Sequence, residues 1–214
     1  MKYIRGLRRC SVDYSALKAS VSAYLGMTEA DAATDSLIDE CIADVTEAAR
    51  FRCLYRIFTE PPGFLLSGEY PKLLEATRGV VLTVSTLGAE VDRLIRYLSA
   101  SDMTRSVVAD AAASALLEMY ADDYESGIAE GLSDRFCPGY GGTDVRDVIH
   151  ILKAVGADRI GVFMLPSGLM VPQKSMAGLR VIRGGVRRTC GRCVLLERCS
   201  YRKEGVRCYD RKRK

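Results

Sequence analysis

The sequence lacks the signatures of several common protein classes. It contains a single histidine, His150, among its 214 residues, and it has no Ser/His/Asp arrangement, phosphate-binding loop or dinucleotide fingerprint. No apolar run approaches the roughly 20 residues that a membrane span requires. The basic residues near Met1 are not followed by the apolar stretch of a secretory signal. These absences predict a cytoplasmic protein without a membrane partner, and they offer no candidate catalytic residue.

The residues that are present predict a globular chain with an uneven charge. Hydrophobic residues make up 48% of the sequence and charged residues 27%, which is typical of a folded domain with a core. The net charge is +4, but the stretch 183–214 alone holds twelve Lys or Arg against three Asp or Glu, so the rest of the chain is net acidic. A basic tail on an acidic body indicates either contact with an anionic partner or a solvated tail that maintains solubility.

Hydrophobic periodicity predicts both helices and strands along the chain. Thr28 is the expected N-cap of the second helix, with Asp31 three residues later. The predicted helices are 12–25, 28–50, a segment from Gly88 to Leu98, 102–130 and 144–154, and the predicted strands are 51–59, 79–85, 159–165 and 179–182. This order predicts an α+β fold, in which one domain has a mostly antiparallel twisted sheet flanked by helices.

Two loop segments have the chemistry of a ligand site. The first, 135–142, combines an arginine, a proline, a tyrosine and three glycines. A guanidinium can hold a carboxylate in a bidentate arrangement, glycines let backbone N–H groups approach a ligand, and a tyrosine ring can pack against a sulfonium cation. The second segment, 170–178, follows some thirty residues later. By pattern alone, the glycine-rich loop is first of all a turn.

These segments resemble the S-adenosylmethionine-binding segments of the activation (reactivation) domain of vitamin B12-dependent methionine synthase. The similarity covers residues 1–182 and is closest to the short, stand-alone members of that family. A carboxylate that the family has on its long helix falls near Glu125. The family patterns Arg-x-x-x-Gly-Tyr and Met-x-Pro-x-x-Ser-x-x-Gly are matched by Arg135, Pro138, Gly139 and Tyr140, and by Met170, Pro172, Ser175 and Gly178.

The resemblance implies an accessory role in methionine biosynthesis. A cobalamin-dependent methionine synthase, or another corrinoid protein, would carry the cobalamin. This chain would bind S-adenosylmethionine as the methyl donor that regenerates methylcobalamin, with an electron from a flavodoxin- or ferredoxin-type donor. Arg135 would hold the ligand carboxylate, the Gly139 backbone would approach the ligand, and Tyr140 would pack against it. The chain would then be a component of methionine synthase activity and not an independent enzyme.

Four of the eight cysteines lie close together in the basic tail. Their C-x2-C-x5-C-x8-C spacing is typical of metal ligands, and four thiolates suit either zinc or an iron–sulfur cluster. The spacing does not identify the metal, although an electron-transfer role favours the cluster. We therefore expect two regions, an activation-domain-like region 1–182 and a metal-binding tail 183–214. The four candidate ligands are Cys190, Cys193, Cys199 and Cys208.

Two other functions are compatible with the sequence. The family has an acidic residue just before its Met-x-Pro pattern, where this chain has Leu165-Pro166-Ser167. If the absence of this acidic residue abolishes binding of the methyl donor, this chain would be a non-catalytic escort of a corrinoid protein. Alternatively, the tail would be a zinc module that contacts nucleic-acid phosphates. This last function ranks lowest, because Tyr201 and Tyr209 are the only aromatic residues among the basic ones.

Overall fold

The computed structural model describes residues 2–4, 13–75 and 77–183, and within these ranges it is an α+β domain, as the sequence predicts. The helices are α1 (Tyr14–Tyr24), α2 (Ala32–Ala48), α3 (Ala89–Ser101), α4 (Met103–Ser126) and α5 (Val148–Val155). The strands are β1 (Lys2–Ile4), β2 (Arg52–Phe58), β3 (Thr77–Thr86), β4 (Phe163–Met164), β5 (Met170–Val171) and β6 (Ser175–Arg183). Short 3-10 helices occur at Gly63–Leu66, Tyr70–Lys72, Val145–Asp147 and Ala157–Ile160.

A four-stranded sheet in the order β1-β2-β3-β6 forms the centre of the domain, and each neighbouring pair is antiparallel. The short strands β4 and β5 form a separate hairpin. Long antiparallel partners such as β3 and β6 arise from runs of β-branched and apolar residues. The predicted antiparallel sheet is therefore confirmed.

The two faces of this sheet differ in chemistry. Residues directly opposite each other in antiparallel strands share a face. Leu54, Val84 and Ala177 are partners on what we call the apolar face, which packs against α5 and the 3-10 segments. Thr83 and Gly178 are partners on the opposite face, towards α4, and we call this the polar face. The alternation of side chains along a strand therefore gives each face its own composition.

Helices α1, α2, α3 and α4 pack together in a second core. Small residues of α4, such as Ala109, Ala112 and Ala113, are buried there and permit close approach of the neighbouring helices. The predicted N-cap Thr28 is wrong, because α2 begins at Ala32 and its N-cap is Asp31, which accepts a hydrogen bond from the Thr34 N–H at 2.8 Å. A carboxylate satisfies an otherwise unpaired N–H in the first turn.

The predicted strand 159–165 is wrong in most of its length. Ala157–Ile160 is a 3-10 helix, and only Phe163–Met164 is extended and paired. Gly156 and Gly161 flank the 3-10 helix, both with φ +73°. This left-handed conformation, which glycine adopts without strain, ends α5 at Gly156 and ends the 3-10 helix at Gly161. By contrast, β6 begins four residues before the predicted 179–182 segment.

Two sequence predictions concern parts that the structure does not describe or only partly covers. Cys190, Cys193, Cys199 and Cys208 lie outside the described residues, as does nearly all of the tail 183–214. Within the described ranges, no group of three or more His, Cys, Asp or Glu side chains has the arrangement of a metal site. Among the helices of the same ranges, none combines the length and apolar character that a membrane crossing needs.

Candidate functional site

Residues 131–136 run beside β6 and place Arg135. The Phe136 N–H donates to the Leu179 carbonyl, and the Leu179 N–H donates to the Phe136 carbonyl, both at 2.8 Å. The Arg183 N–H donates to the Gly131 carbonyl at 2.9 Å. Gly131 has φ +74°, and a Cβ there would lie 2.3 Å from the Arg183 carbonyl oxygen, so only glycine fits. The edge segment 131–136 therefore has a fixed register on β6.

This register brings the Arg135 side chain across Gly178. A Cβ on Gly178 would lie 2.7 Å from Arg135 Cγ and 2.9 Å from its Cδ. Arg135 Nη1 is also 3.2 Å from the sulfur of Met176. The Arg135 side chain is only 9% exposed. Two residues that the sequence assigns to the site thus meet on the polar face, and the absence of a side chain at Gly178 makes the contact possible.

Four charged side chains form one network at this point, which we call the two-arginine cluster. It consists of Arg135, Arg180 of β6, and Glu125 and Asp122 of α4. Glu125 is fully buried and accepts hydrogen bonds from the Nε atoms of both arginines. Asp122 Oδ1 accepts from Nη2 of Arg135 at 2.7 Å and from Nη2 of Arg180 at 2.6 Å. The cluster brings Glu125, a predicted site residue, into direct contact with Arg135.

The charges of the cluster are balanced, with two guanidiniums against two carboxylates. Burial disfavours a charged group, but the carboxylates of Glu125 and Asp122 outweigh burial and raise the pKa of Arg135 above its ordinary value. Both arginines are close to nine-tenths buried, whereas Asp122 is 49% exposed. The cluster therefore has one carboxylate locked inside the protein and one at its surface.

The loop that follows Arg135 is a compact turn. Gly139, Gly141 and Gly142 all have positive φ. The Gly139 N–H, which the sequence assigns to a ligand, donates to the Thr143 hydroxyl at 3.0 Å. Tyr140 is 58% exposed at the surface of the turn. Pro138, Gly139 and Tyr140 therefore lie together next to Arg135 in sequence, with the tyrosine ring available to solvent.

A groove between α1 and α4 meets the two-arginine cluster. Its volume is about 480 Å³, and small side chains, including Ala16 and Ser20, line its α1 side. Asp122 lies in the groove wall together with Glu118 and Tyr24. The Tyr24 hydroxyl donates to Glu118 at 2.7 Å. Burial, together with this carboxylate, raises the pKa of Tyr24 above its ordinary value, so the hydroxyl remains a donor.

The remaining predicted site residues have structural positions. Met170 of β5 packs against the apolar core. The Ser175 hydroxyl is buried, 2.6 Å from the Pro172 carbonyl oxygen and 2.9 Å from the Thr86 hydroxyl. These contacts form the turn that precedes β6. Met170, Pro172 and Ser175 are therefore outside the two-arginine cluster, in the segment that leads into β6.

Cys137 follows Phe136 and lies beside the cluster. Burial, with smaller effects of neighbouring charges, raises the pKa of its thiol to about 11. With this raised pKa, the side chain is an uncharged thiol near neutral pH. The nucleophilic form of a cysteine is the thiolate, so Cys137 is a poor nucleophile there. Its position therefore favours a packing role.

Sequence reasoning missed two members of the cluster, Arg180 and Asp122. Arg180 lies two residues after Gly178, so the period of a strand puts both on the same face. Asp122 lies three residues before Glu125, so the period of a helix does the same. Periodicity therefore places Arg180 with Gly178 and Asp122 with Glu125. It does not predict that this face of β6 and this face of α4 contact each other.

Solved structures of similar fold include one described as the crystal structure of the MetH reactivation domain bound to AdoHcy. The sequences are 14% identical, the match covers 86% of this chain and 79% of that chain, and the TM-score is 0.54. At this identity the likeness shows the fold. No protein-family profile matches the sequence, and no curated protein matches it.

Proposed function

We propose that this protein binds an S-adenosyl ligand beside Arg135 and assists the reactivation of a cobalamin-dependent methionine synthase or a related corrinoid methyltransferase. The fold it shares with the MetH reactivation domain supports this role. The main support from the site is that Arg135, Glu125 and Gly178, which the resemblance assigns to the ligand, come together. Asp122, which pairs with Arg135, also lines an open groove.

The groove has the size and chemistry for such a ligand. Its volume of about 480 Å³ lies within the range of roughly 300–1,000 Å³ that small-molecule sites occupy. Small side chains leave room for a nucleoside. The carboxylate of Glu118 is suited to an ammonium or sulfonium group, and the guanidinium of Arg135 to a carboxylate.

In this proposal the chain binds and orients the methyl donor. The partner carries the cobalamin, which accepts the methyl group from the sulfonium as one electron arrives from a separate donor, such as a flavodoxin or ferredoxin. S-adenosylhomocysteine is the other product. The residues of this chain hold the donor so that its methyl group is presented to the partner, and this positioning is their contribution to the rate.

The tail 183–214 is proposed to be a separate metal-binding region. The support is the spacing of Cys190, Cys193, Cys199 and Cys208 and the preference of zinc and iron for thiolate ligands. Metal analysis of anaerobically purified protein tests this proposal. About one zinc per chain, or iron with acid-labile sulfide and a broad absorbance near 400 nm, is expected, and a metal-free protein would contradict it.

The experiment that tests ligand binding is calorimetric titration with S-adenosylhomocysteine. We expect a saturable heat, and we expect Arg135→Lys to weaken binding about ten-fold, because the single ammonium of lysine cannot replace both Nε, which pairs with Glu125, and Nη2, which faces the groove side of the cluster. Arg146→Lys is the matched control, since Arg146 is exposed and pairs locally with Asp144. The absence of heat from the wild-type protein at millimolar ligand would overturn the proposal.

A second function, the escort of a corrinoid protein without ligand binding, is favoured by a specific observation. The guanidinium of Arg135 and the N–H of Gly139 both have partners within the protein. If these bonds persist in all states, the chain recognises its partner alone. Capture of a corrinoid methyltransferase by a protein that gives no heat with S-adenosylhomocysteine would select this function.

A further inference from the structure

We propose that Arg180 and Arg135 together form the receptor for the ligand carboxylate, and that Asp122 occupies this receptor until the ligand displaces it. The inference rests on the proposed function, because it concerns the same ligand. It adds two residues that sequence comparison with the activation domain does not supply. It also explains why Arg135 is already paired in the structure.

The two carboxylates of the cluster pair with different nitrogen atoms of the guanidiniums. Glu125, on the buried side, accepts hydrogen bonds from the Nε atoms of Arg135 and Arg180. Asp122 accepts hydrogen bonds from the Nη2 atoms of both arginines through one oxygen, Oδ1. The terminal nitrogens of the two arginines therefore converge on a single carboxylate oxygen. Two charge-assisted hydrogen bonds from two guanidiniums to one oxygen are suited to holding a carboxylate.

Only the outer carboxylate is in a position to leave. Glu125 is fully buried, and its release would leave two guanidiniums without their inner partner. Asp122 is half exposed and lies in the wall of the groove. When Asp122 turns outwards, water solvates its own carboxylate, but the two arginines that it leaves are about nine-tenths buried. Its release is therefore favourable only when another carboxylate replaces it at the Nη2 atoms, while Glu125 keeps the arginines in place.

Exchange of Asp122 for a ligand carboxylate conserves the charge of the site. One carboxylate leaves the Nη2 atoms and another takes its position, so the buried arginines always have two negative partners. A ligand without a carboxylate cannot make this exchange, because the two guanidiniums would then be left with Glu125 as their single carboxylate partner. Asp122 therefore makes binding selective for an amino-acid ligand, and it reduces the affinity for that ligand by competing with it.

The test uses two ligands that differ only in the carboxylate, S-adenosylhomocysteine and its decarboxylated analogue. Asp122→Asn removes the competing charge and should bind S-adenosylhomocysteine about ten-fold more tightly than the wild type, the size expected for a charge near a partly exposed pair. Binding of the decarboxylated analogue should not become tighter. Asp123→Asn, an exposed neighbour on the same helix, is the matched control and should bind both ligands as the wild type does.

A second variant tests Arg180 directly. Arg180→Lys keeps the charge but loses the terminal guanidinium nitrogen, and we expect about ten-fold weaker binding of S-adenosylhomocysteine with less than two-fold change for the analogue. Circular dichroism and thermal unfolding establish that each variant is folded. If Arg180→Lys does not fold, Asp122→Asn decides alone.

The outcomes separate this inference from the proposed function. If the wild type binds S-adenosylhomocysteine but Asp122→Asn binds it equally or more weakly, the inference is wrong and the proposed function stands. If only Asp122→Asn binds, Asp122 occupies the receptor as inferred, and the wild-type chain by itself is not a ligand-binding protein. If neither binds, both are wrong.

Discussion

The two faces of the β1-β2-β3-β6 sheet are built from the same strands and do different things. On the apolar face, Leu82 of β3 pairs with Leu179 of β6 and packs under α5. On the polar face, one residue further along, Thr83 pairs with Gly178, and the side chain of Arg135 lies over the glycine. Because successive side chains along a strand point to opposite faces of the sheet, neighbouring residues of β3 and β6 belong alternately to the core and to the candidate site.

The faces also differ in what stabilises them. The apolar face is closed by hydrophobic burial, which is non-directional and tolerates exchanges between hydrophobic side chains of similar volume. The polar face contains Glu125 with two arginines, so its stability depends on every partner being present. We therefore expect substitutions on the polar face to change stability and ligand binding together, and substitutions on the apolar face to change stability alone.

The largest effect should come from Glu125→Gln, which removes the inner partner of both arginines. Loss of one member of a buried ion network typically lowers the free energy of unfolding by about 4 kcal/mol. Urea unfolding measures this change, and binding of S-adenosylhomocysteine should be lost with it. Glu130→Gln, at an exposed position, is the control and should change stability by less than about 0.5 kcal/mol. A loss of stability below that of the control would remove the distinction between the faces.

Leu82→Ala tests the apolar face. Leu82 is fully buried, and removing such a side chain leaves a cavity that lowers the free energy of unfolding by about 3 kcal/mol. The affinity for S-adenosylhomocysteine, measured at a temperature where the variant is folded, should stay within about two-fold of the wild type. Leu66→Ala, at an exposed leucine, is the control. A large loss of affinity in Leu82→Ala would mean that the two faces are coupled.

Gly178→Ala should have an intermediate effect. The new Cβ would lie 2.7 Å from Arg135 Cγ and 3.1 Å from the Phe136 carbonyl oxygen, and such overpacking lowers the free energy of unfolding by about 2 kcal/mol. The displaced Arg135 should also weaken ligand binding, which calorimetry measures. Gly63→Ala serves as the control, because a Cβ there meets no atom within 4 Å. Unchanged binding in Gly178→Ala would separate Arg135 from the ligand.

The smallest effect concerns the thiol beside the polar face. Burial raises the pKa of Cys137 to about 11, above the ordinary value of 9.0. The reactive thiolate therefore forms later than usual as the pH rises. Alkylation of Cys137 by iodoacetamide, followed by peptide mass spectrometry, should be slow at pH 7–9 and accelerate towards pH 11, with Cys137→Ala as the blank. Fast alkylation near pH 8 would show that this side of the polar face is open to water.

The sequence predicted regular helices and strands better than the segments that glycines interrupt. Regular periodicity identified β2 and the amphipathic helix α3 to within a few residues, because each element buries apolar residues on one face, Leu54 of β2 in the core of the apolar face and Val91 and Leu98 of α3 in the helical core. The strand predicted at 159–165 was wrong because the left-handed turns at Gly156 and Gly161 are backbone effects that apolar composition conceals. Periodicity describes a face, but not the conformation of the glycines that interrupt it.

Within the candidate site, resemblance supplied Arg135, Glu125 and Gly178, which do meet. It did not supply the pairing of Arg180 with Asp122, whose positions are 58 residues apart. That contact exists because α4 crosses the polar face of β6, and this crossing is a property of tertiary packing. Met170, Pro172 and Ser175, which the resemblance also assigns to the ligand, lie outside the two-arginine cluster in the segment that leads into β6, and their contact with a ligand stays a prediction.

The edge segment 131–136 has a consequence beyond the placement of Arg135. In the sheet order, β6 ends the row, and an unpaired outer strand is a template for aggregation with other chains. The backbone bonds of the segment at Leu179 and Arg183 occupy part of that template. Release of the edge segment would therefore expose unpaired backbone groups of β6 to other chains. The tendency of the protein to aggregate is thus linked to the same segment that places Arg135.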